Sequence, residues 1–303
     1  SDELRVSTFH HLIQPEKPKD KQDALQILIE ESGLLLTKPE DVKQLRNLIM
    51  DLAIQGSLTK RGSEISNVNE LVDLAVEGKL LNESYKFSEY SDNVDTDNGN
   101  FFRIPESWEW VPAVDIGQFI RGVTYKKSVT QDTPKDGFMP VLRANNIGRI
   151  MNYDNLVYIP DGNIKDNQIL KRGDWLICTA SGSKRLVGKN AAFKGSELMT
   201  FGAFNCAYRL NEPDLYPFIK VFFKSRIYRG FVFDEGTGMT INNLKISSLK
   251  KIQFPIPSLN EQERIVARVD ELMELCDQLE EELSLTVGLS EEYVLSSSHH
   301  LVS

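Results

Sequence analysis

The sequence has few of the residues and motifs on which catalytic sites depend. Histidine occurs only near the two ends of the chain, at His10, His11, His299 and His300. This placement excludes the HExxH zinc arrangement, and a histidine-based triad would have to be assembled from the chain ends. The nearest approach to a Walker A loop is GSKRLVGKN, Gly182 to Asn190, but its glycines are one residue too far apart and asparagine replaces the Mg²⁺-binding Ser or Thr. A GxGxxG turn and the Asn/Asp-Pro-Pro-aromatic sequence of amino-methyltransferases are also missing, so we expect a non-catalytic chain that needs no metal or cofactor.

Cysteines are few and long apolar runs are absent. Cys178, Cys206 and Cys276 form no CxxC pair and have apolar neighbours, which favours small buried hydrophobic residues over disulfides or metal ligands. No apolar run is long enough to span a bilayer, and the N-terminal SDELRVSTFHHLIQ lacks a cationic region followed by an apolar one. We therefore expect a protein of the reducing cytoplasm with no membrane partner.

The chain lacks a net positive charge, but its charges are unevenly distributed. The formal net charge is −9, which is unusual for a protein that binds an anionic polymer. Between Phe119 and Arg229 there are 18 Lys and Arg against 9 Asp and Glu, which leaves 17 basic and 35 acidic residues elsewhere. The basic middle is suited to phosphate and the acidic remainder to protein partners. A solvated surface of mixed charge is the alternative.

Two segments have the apolar spacing of helices that pair along a narrow seam. The first opens at Thr37, where Glu40 completes the spacing of a capping box, and stops at Gly56; the second follows Pro257. The seam residues are Val42, Leu45, Ile49 and Leu52 in the first helix, and Ile265, Val269, Leu272, Cys276, Leu279 and Leu283 in the second. This spacing predicts that the helices pack against each other, or each against a second copy, in antiparallel fashion.

Between these helices the sequence changes to short apolar or alternating runs separated by Gly, Asn, Asp and Pro, which is typical of a β domain. Predicted strands are Phe138 to Leu142, Asn155 to Ile159, Trp175 to Thr179 and Ala203 to Leu210, and one helix is predicted from Pro217 to Gly230, with Lys220 and Lys224 on one face. The predicted fold class is α+β: a mostly β domain with few helices, flanked by long helices that form an antiparallel coiled-coil-like arm. Predicted boundaries are an N-terminal extension (1–36), a helical segment (37–82), a polar linker (83–100), the β domain (101–257), a long coiled-coil helix (258–285) and a tail (286–303).

Three stretches have the wording of one known family: LRNLIMDLAIQGSL (Leu45 to Leu58), IPESWEWVPAVDIGQFIRG (Ile104 to Gly122) and FPIPSLNEQERIVARVDEL (Phe254 to Leu272). They resemble the specificity subunits of Type I restriction-modification systems. The resemblance implies that the middle is a target-recognition domain that reads one half of a bipartite site on double-stranded DNA. It also implies that the helices dock methyltransferase (M) subunits and, through them, restriction (R) subunits, which supply the catalysis. The family usually has two recognition domains and this sequence has one, so we expect a half-length subunit or a fragment, with a homodimer as one route to two half-sites.

Candidate DNA contacts are basic and polar residues in loop-like, Gly-containing sequence. They comprise Arg121, Tyr125, Lys126 and Lys127 after a strand at the entrance of the β domain, within Ile104 to Gly122, then Arg143, Asn145 and Asn146, then Ser181, Ser183, Lys184, Arg185 and Lys189, and finally Thr237, Thr240 and Asn242 in the glycine-rich loop implied by the resemblance. Arg or Lys can pair with guanine, Asn with adenine, and Ser hydroxyls with phosphate. For each residue a phosphate contact or a plain surface role is an alternative to a base contact.

Two other functions remain open at the level of the sequence. One is a self-contained DNA modification or restriction enzyme whose active site escapes motif analysis. The other is a coiled-coil adaptor that never touches nucleic acid, which the acidic total charge favours.

Overall fold

The computed structural model of the chain describes residue 8 and residues 18–59, 72–75, 77, 102–233 and 243–300, except for the side chains of 18–21, 33, 34 and 287–300. In chain order its elements are α1 (Pro18–Glu30), α2 (Ser32–Leu35), α3 (Pro39–Ile54), β1 (Glu109–Pro112), α4 (Ala113–Ile116), β2 (Gly117–Arg121), β3 (Phe138–Leu142), β4 (Val157–Pro160), β5 (Trp175–Cys178), β6 (Asn190–Ala192), β7 (Thr200–Phe201), β8 (Asn205–Leu210), α5 (Tyr216–Lys224), α6 (Arg226–Phe233), α7 (Ile246–Leu249), β9 (Gln253–Ile256) and α8 (Leu259–His300). The predicted α+β class, with strands in the middle and a long helix after them, is confirmed.

The described strands form three small sheets. β1 pairs with β9 in antiparallel fashion. The four-stranded sheet has the order β2-β8-β5-β6 and is antiparallel throughout. In the third sheet, β3 pairs antiparallel with β4 and parallel with β7.

The four predicted strands are confirmed, with small changes at their ends. β3 has the predicted bounds, β4 lies slightly later than predicted, β5 ends one residue earlier and β8 begins two residues later. β6 and β7 were missed because runs this short show no alternation. β1 and β9 were missed because each contains a proline, which the two-stranded sheet tolerates since neither strand is central.

The helix predicted from Pro217 to Gly230 is wrong in one respect: it is two helices, α5 and α6, that meet at Ser225. The Ser225 side chain donates to the carbonyl of Phe222 at 2.7 Å and accepts a hydrogen bond from the Tyr228 amide at 3.2 Å. It therefore caps the first turn of α6, which favours a break at this position.

Both ends of α3 are fixed by local hydrogen bonds. At its start, the Asp41 carboxylate accepts from the amides of Thr37 (3.0 Å) and Lys38 (3.1 Å), so Asp41, and not the predicted Glu40, is the acidic partner of the cap. At its end, the Ser57 amide donates to Leu52 O, and Gly56 has a φ of 65°, the left-handed conformation of a Schellman motif. The predicted stop at Gly56 is confirmed.

The two long helices lie side by side within one chain. A Cβ on Gly56, just beyond α3, would lie 3.0 Å from the Trp108 ring, and Glu109, which follows Trp108, pairs with Ile256 near the start of α8. From the middle of α3, Arg46 reaches much further along α8 and forms an ion pair with Asp277 at 2.6 Å. The helices are therefore antiparallel. A homodimer formed through the predicted seams would have to expose side chains that are already buried inside the chain.

One continuous hydrophobic core joins these helices to the β domain. The seam residues of α3, and those of α8 from Ile265 to Cys276, belong to the same cluster as Trp175, Tyr208 and the aromatic face of α5, while Leu279 and Leu283 pack partly buried against it. Each fully buried aliphatic side chain stabilises such a core by about 2 kcal/mol. From Ile265 to Leu283, α8 therefore lies against the domain, and a separate coiled-coil-like arm stays a prediction, as do the domain boundaries.

The cysteines are free and buried, as the sequence indicated. Burial raises the pKa of the Cys178 thiol to about 11 and that of Cys206 to about 12, so the reactive thiolate forms are disfavoured. Among the helices that the structure describes, none is long and apolar enough to cross a membrane.

Candidate nucleic-acid interface

The loops that follow β2 and β5 leave the same end of the four-stranded sheet. Because both strands are antiparallel to β8, their last residues meet its first ones: Arg121 pairs with Cys206, and Cys178 with Asn205. The predicted cluster around Arg121 and the one from Ser181 to Lys189 therefore flank the turn Gly202–Asn205, which we call the central turn.

The third sheet brings the Arg143 cluster to the same place. β7 runs parallel to β3, with Leu142 opposite Phe201, and the amide of Gly202 donates to Leu142 O at 3.0 Å. The chain then enters the Arg143 loop directly beside the central turn. The structure thus gathers three clusters that are separated by up to sixty-eight positions in sequence, from Arg121 to Lys189, around one turn.

Most of the gathered side chains are accessible. The exposed members are Arg121, Lys126, Lys127, Asn145, Ser183, Lys184 and Arg185, and the half-buried ones are Tyr125, Arg143, Ser181 and Lys189. Within the part of the chain that the structure describes, Lys126, Lys127, Lys184 and Arg185 form no ion pair. Their charges are therefore available to an anionic partner.

Asn146 does not belong to this accessible set. It is 1% exposed, its Oδ1 accepts from the Arg143 amide at 2.9 Å, and its Nδ2 donates to Asp154 O at 3.0 Å. Because both polar ends of the amide hold the loop together, we remove Asn146 from the candidate contacts. Arg143 is held in turn by a 2.7 Å hydrogen bond from Nη2 to Asn155 O. Burial raises the pKa of the nearby Tyr125 hydroxyl, and the charge of Arg143 opposes that shift.

A cleft of about 1600 Å³ runs along the free edge of β2 and contains Arg121 in its wall. Five further exposed basic residues line it, Lys165, Lys171, Arg172, Lys194 and Lys250, besides the half-buried Arg209. None of the five was predicted as a contact, because they come from separate loops that only the fold brings together. The Lys171-Arg172-Gly173 sequence, a basic pair before a glycine, is the one local signal that could have found part of this set.

The floor of the cleft is held by a buried ion pair. Arg209 binds the Asp174 carboxylate through Nε (2.8 Å) and Nη2 (2.6 Å), and Nη2 also donates to Ile169 O at 2.8 Å. Asp174 Oδ2, which accepts from Nη2, also accepts from the Lys171 amide at 2.8 Å. This bidentate arrangement fixes the loop that carries Lys171 and Arg172.

The sequence predicts Lys220 and Lys224 on one face of a helix, which suits a phosphate contact or a solvated surface, but Lys224 is not on the accessible basic surface. Lys224 turns inward, where its Nζ donates to Arg149 O (3.1 Å) and Asn190 O (3.2 Å) and lies 5.5 Å from the Trp175 ring. Burial, with help from neighbouring cations, lowers its pKa to about 8. Lys224 is therefore part of the packing of α5 and not of the accessible basic surface.

The remaining predicted contacts, Thr237, Thr240 and Asn242, lie outside the described residues. The description resumes at Asn243, which forms a β-bridge with Ala180 beside the central turn.

Comparisons with known proteins agree with the resemblance seen in the sequence. The family described as Type I restriction modification DNA specificity domain matches residues 105–287. The chain is 37% identical over 177 residues to the Type I restriction enzyme StySPI specificity subunit of Salmonella potsdam and, over the same length, to the EcoKI specificity subunit of Escherichia coli strain K12. In each case the match covers 58% of this chain and 38% of the relative. The chain thus spans well under half of these relatives.

A solved structure shares the fold. A chain from a study of complex assembly and conformational transition of the type I R-M system superposes with a TM-score of 0.51 at 16% identity, over 91% of this chain and 57% of that one. At this identity the likeness concerns the fold alone.

Proposed function

The chain belongs to the family of Type I restriction modification DNA specificity domains, and from this premise we propose that it is a non-catalytic DNA specificity subunit. The β domain reads one half of a bipartite site on double-stranded DNA. The observation that carries the proposal is the gathering of three basic loops around the central turn, next to a cleft with six exposed cations in its wall. Loops that converge from separate strands suit groove contacts, and a cationic cleft suits the phosphate backbone.

Salt-dependent binding tests the DNA part of the proposal. Phosphate contacts release counterions, so affinity for a labelled duplex measured by fluorescence anisotropy should fall steeply as salt rises. The double reversal Lys184→Glu and Arg185→Glu should weaken binding to duplexes of any sequence. The same reversal at Lys38 and Lys43, which are exposed on the helical side, serves as the matched control. Binding that ignores both salt and the loop reversal would favour the adaptor function.

We also propose that the helices α3 and α8 dock methyltransferase subunits and, through them, restriction subunits. The outward face of α8 is rich in exposed carboxylates, Glu263, Asp270, Glu271, Glu274, Glu281 and Glu282, which supports a protein partner over a nucleic acid. Co-purification with methyltransferase subunits from the same genome should be lost when Glu271 and Glu274 are changed to Lys. Retention of the complex by this variant would contradict docking through this face.

Catalysis is assigned to those partners, and a cytoplasmic location follows from the shared DNA substrate. Incubation of the purified chain with DNA, Mg²⁺, ATP and S-adenosylmethionine should give neither methylation nor cleavage. Turnover without partners would instead support the self-contained enzyme. For a half-length subunit, a homodimer formed through a surface other than the buried seams is one route to two half-sites. A strictly monomeric species at micromolar concentration in light scattering, with DNA present, would count against a dimer.

A further inference from the structure

The central turn presents an aromatic side chain to solvent. Phe204 is 72% exposed, although an exposed phenyl ring forgoes the favourable burial that most of the other aromatic side chains of this domain achieve. A single exposed apolar residue needs no special explanation on its own. The position of Phe204 does call for one, since it lies at the point where the three basic loops meet.

The backbone under this ring is held from several directions. Phe204 O accepts three hydrogen bonds, from the amides of Thr179 (2.8 Å) and Ala180 (3.0 Å) and from Thr179 Oγ1 (2.9 Å). The amide of Ala203 donates to Val123 O at 2.9 Å, which fixes the preceding residue. The turn therefore connects the two larger sheets rigidly, and little conformational freedom is left to lose when a partner binds.

The central turn is also packed tightly against the end of β2. The amide of Gly122 donates to Asn205 O at 3.3 Å, and a Cβ on Gly122 would lie only 2.3 Å from the carbonyl oxygen of Gly202. Such close approach of two backbones explains the glycine at position 122. It places Arg121 and the residues after it directly beside the turn that carries Phe204.

The surroundings of Phe204 indicate what its partner is. Protein-docking surfaces present contiguous apolar patches, whereas the loops around the central turn present Arg121, Lys184, Arg185 and other exposed polar groups. An apolar ring surrounded by cations matches a nucleic acid, in which a stack of apolar base faces lies between two lines of phosphates. Proteins that insert an apolar wedge between base pairs use this combination of features.

We propose that Phe204 inserts as a wedge at one base step of the bound duplex and partly unstacks it. The proposal rests on the proposed function and adds to it a named contact and a deformation of the DNA. Deformation at the step makes affinity depend on how readily that step unstacks, so Phe204 would contribute to sequence preference without a hydrogen bond to any base.

The test uses a duplex that the wild-type chain selects from a randomised pool, with 2-aminopurine placed at successive positions, and a scrambled duplex of equal length. Binding of the wild-type chain should raise 2-aminopurine emission at one step, and Phe204→Ala should abolish that rise. Loss of one stacking contact should weaken binding to the selected duplex about tenfold. Binding to the scrambled duplex, which depends on phosphate contacts, should change by less than about twofold. Leu285→Ala, which removes another exposed apolar side chain on α8, is the control and should change neither.

A second variant gives an independent reading. The indole of Phe204→Trp should be quenched when it stacks on a base of the selected duplex, and the affinity should stay near that of the wild type. The inference is overturned if no step shows a rise in emission, or if Phe204→Ala weakens binding to both duplexes equally. It is also overturned if the variant weakens only the complex with methyltransferase subunits, because Phe204 would then make a protein contact. If the wild-type chain itself binds no duplex, the proposed function fails and this inference fails with it.

Discussion

Removing the charges of Lys171 and Arg172 should reduce both DNA affinity and its salt dependence. Both residues are exposed in the wall of the cleft. Their loop is held by the hydrogen bond from the Lys171 backbone amide to Asp174 and by the ion pair of Asp174 with Arg209. Neither interaction uses the charged ends of the Lys171 and Arg172 side chains. The double change Lys171→Ala and Arg172→Ala should therefore leave the fold intact and remove two phosphate contacts.

The size of the effect follows from counterion release. Each phosphate contact adds about 0.9 to the slope of log affinity against log salt, so the double variant should lower the slope by about 1.8. At about 1 M salt the counterion contribution to affinity is zero. Extrapolated from there, the double variant should bind about 60-fold more weakly than the wild type at about 0.1 M salt and about 9-fold more weakly at about 0.3 M. The loss should thus shrink as salt rises.

Anisotropy titrations of one duplex at several salt concentrations measure the slope directly. The matched control is Lys38→Ala with Lys43→Ala, which removes two exposed charges at the start of α3 and should leave the slope unchanged. A double variant that loses the same factor at every salt concentration would refute phosphate contact by this pair. An unchanged affinity would remove the cleft from the interface.

Three further changes test the scaffold. Asp51→Ala removes the acceptor of the Arg226 amide (2.9 Å) and Nε (2.6 Å), and because the Arg226 side chain is half exposed the free energy of unfolding in urea should fall by only about 2 kcal/mol. Gly122→Ala should destabilise by about 3 kcal/mol because its Cβ meets the backbone of the central turn, whereas Gly182→Ala, with nothing within 4 Å, should be neutral in the same thermal melts. Folding lowers the pKa of Lys224 from 10.5 to about 8, so between these pH values the unfolded chain binds more protons at this residue than the folded chain. The free energy of unfolding of the wild type should therefore rise with pH over that range, relative to that of Lys224→Met. A difference between the two proteins that does not change with pH would contradict the buried charge.

Local patterns in the sequence were sufficient for α3 and β3. The apolar side chains of α3 recur at the spacing of one buried face, and β3 is a short, continuous apolar run. The break at Ser225 was not, because the apolar pattern continues through it and only a side-chain cap ends α5. β7, with two residues, has no pattern of its own and exists because β3 provides a partner.

Prediction of contacts from residue type reached its limit where tertiary structure decides exposure. Lys184 and Lys224 are indistinguishable as lysines in a basic region, yet one lies in an exposed turn and the other turns inward toward Trp175. Asn146 and Asn145 are adjacent, and only Asn145 faces solvent. The cleft was not predicted because its basic residues come from separate loops, and only the folded structure brings them together along the edge of β2.

The sequence predicted a division between a basic β domain and acidic helices. In the structure, the shared core connects these two parts. β8 begins at the central turn, and its Tyr208 ring lies 5.8 Å from Phe254 in β9, which in turn lies 4.8 Å from Phe222 of α5. α8 starts directly after β9 and packs its seam into the same core. A close-packed core transmits displacement instead of absorbing it, so the orientation of the basic loops is fixed relative to the long helices. The proposed function requires this property, because methyltransferase subunits docked on the helices would then act at a fixed distance from the bases that the loops read.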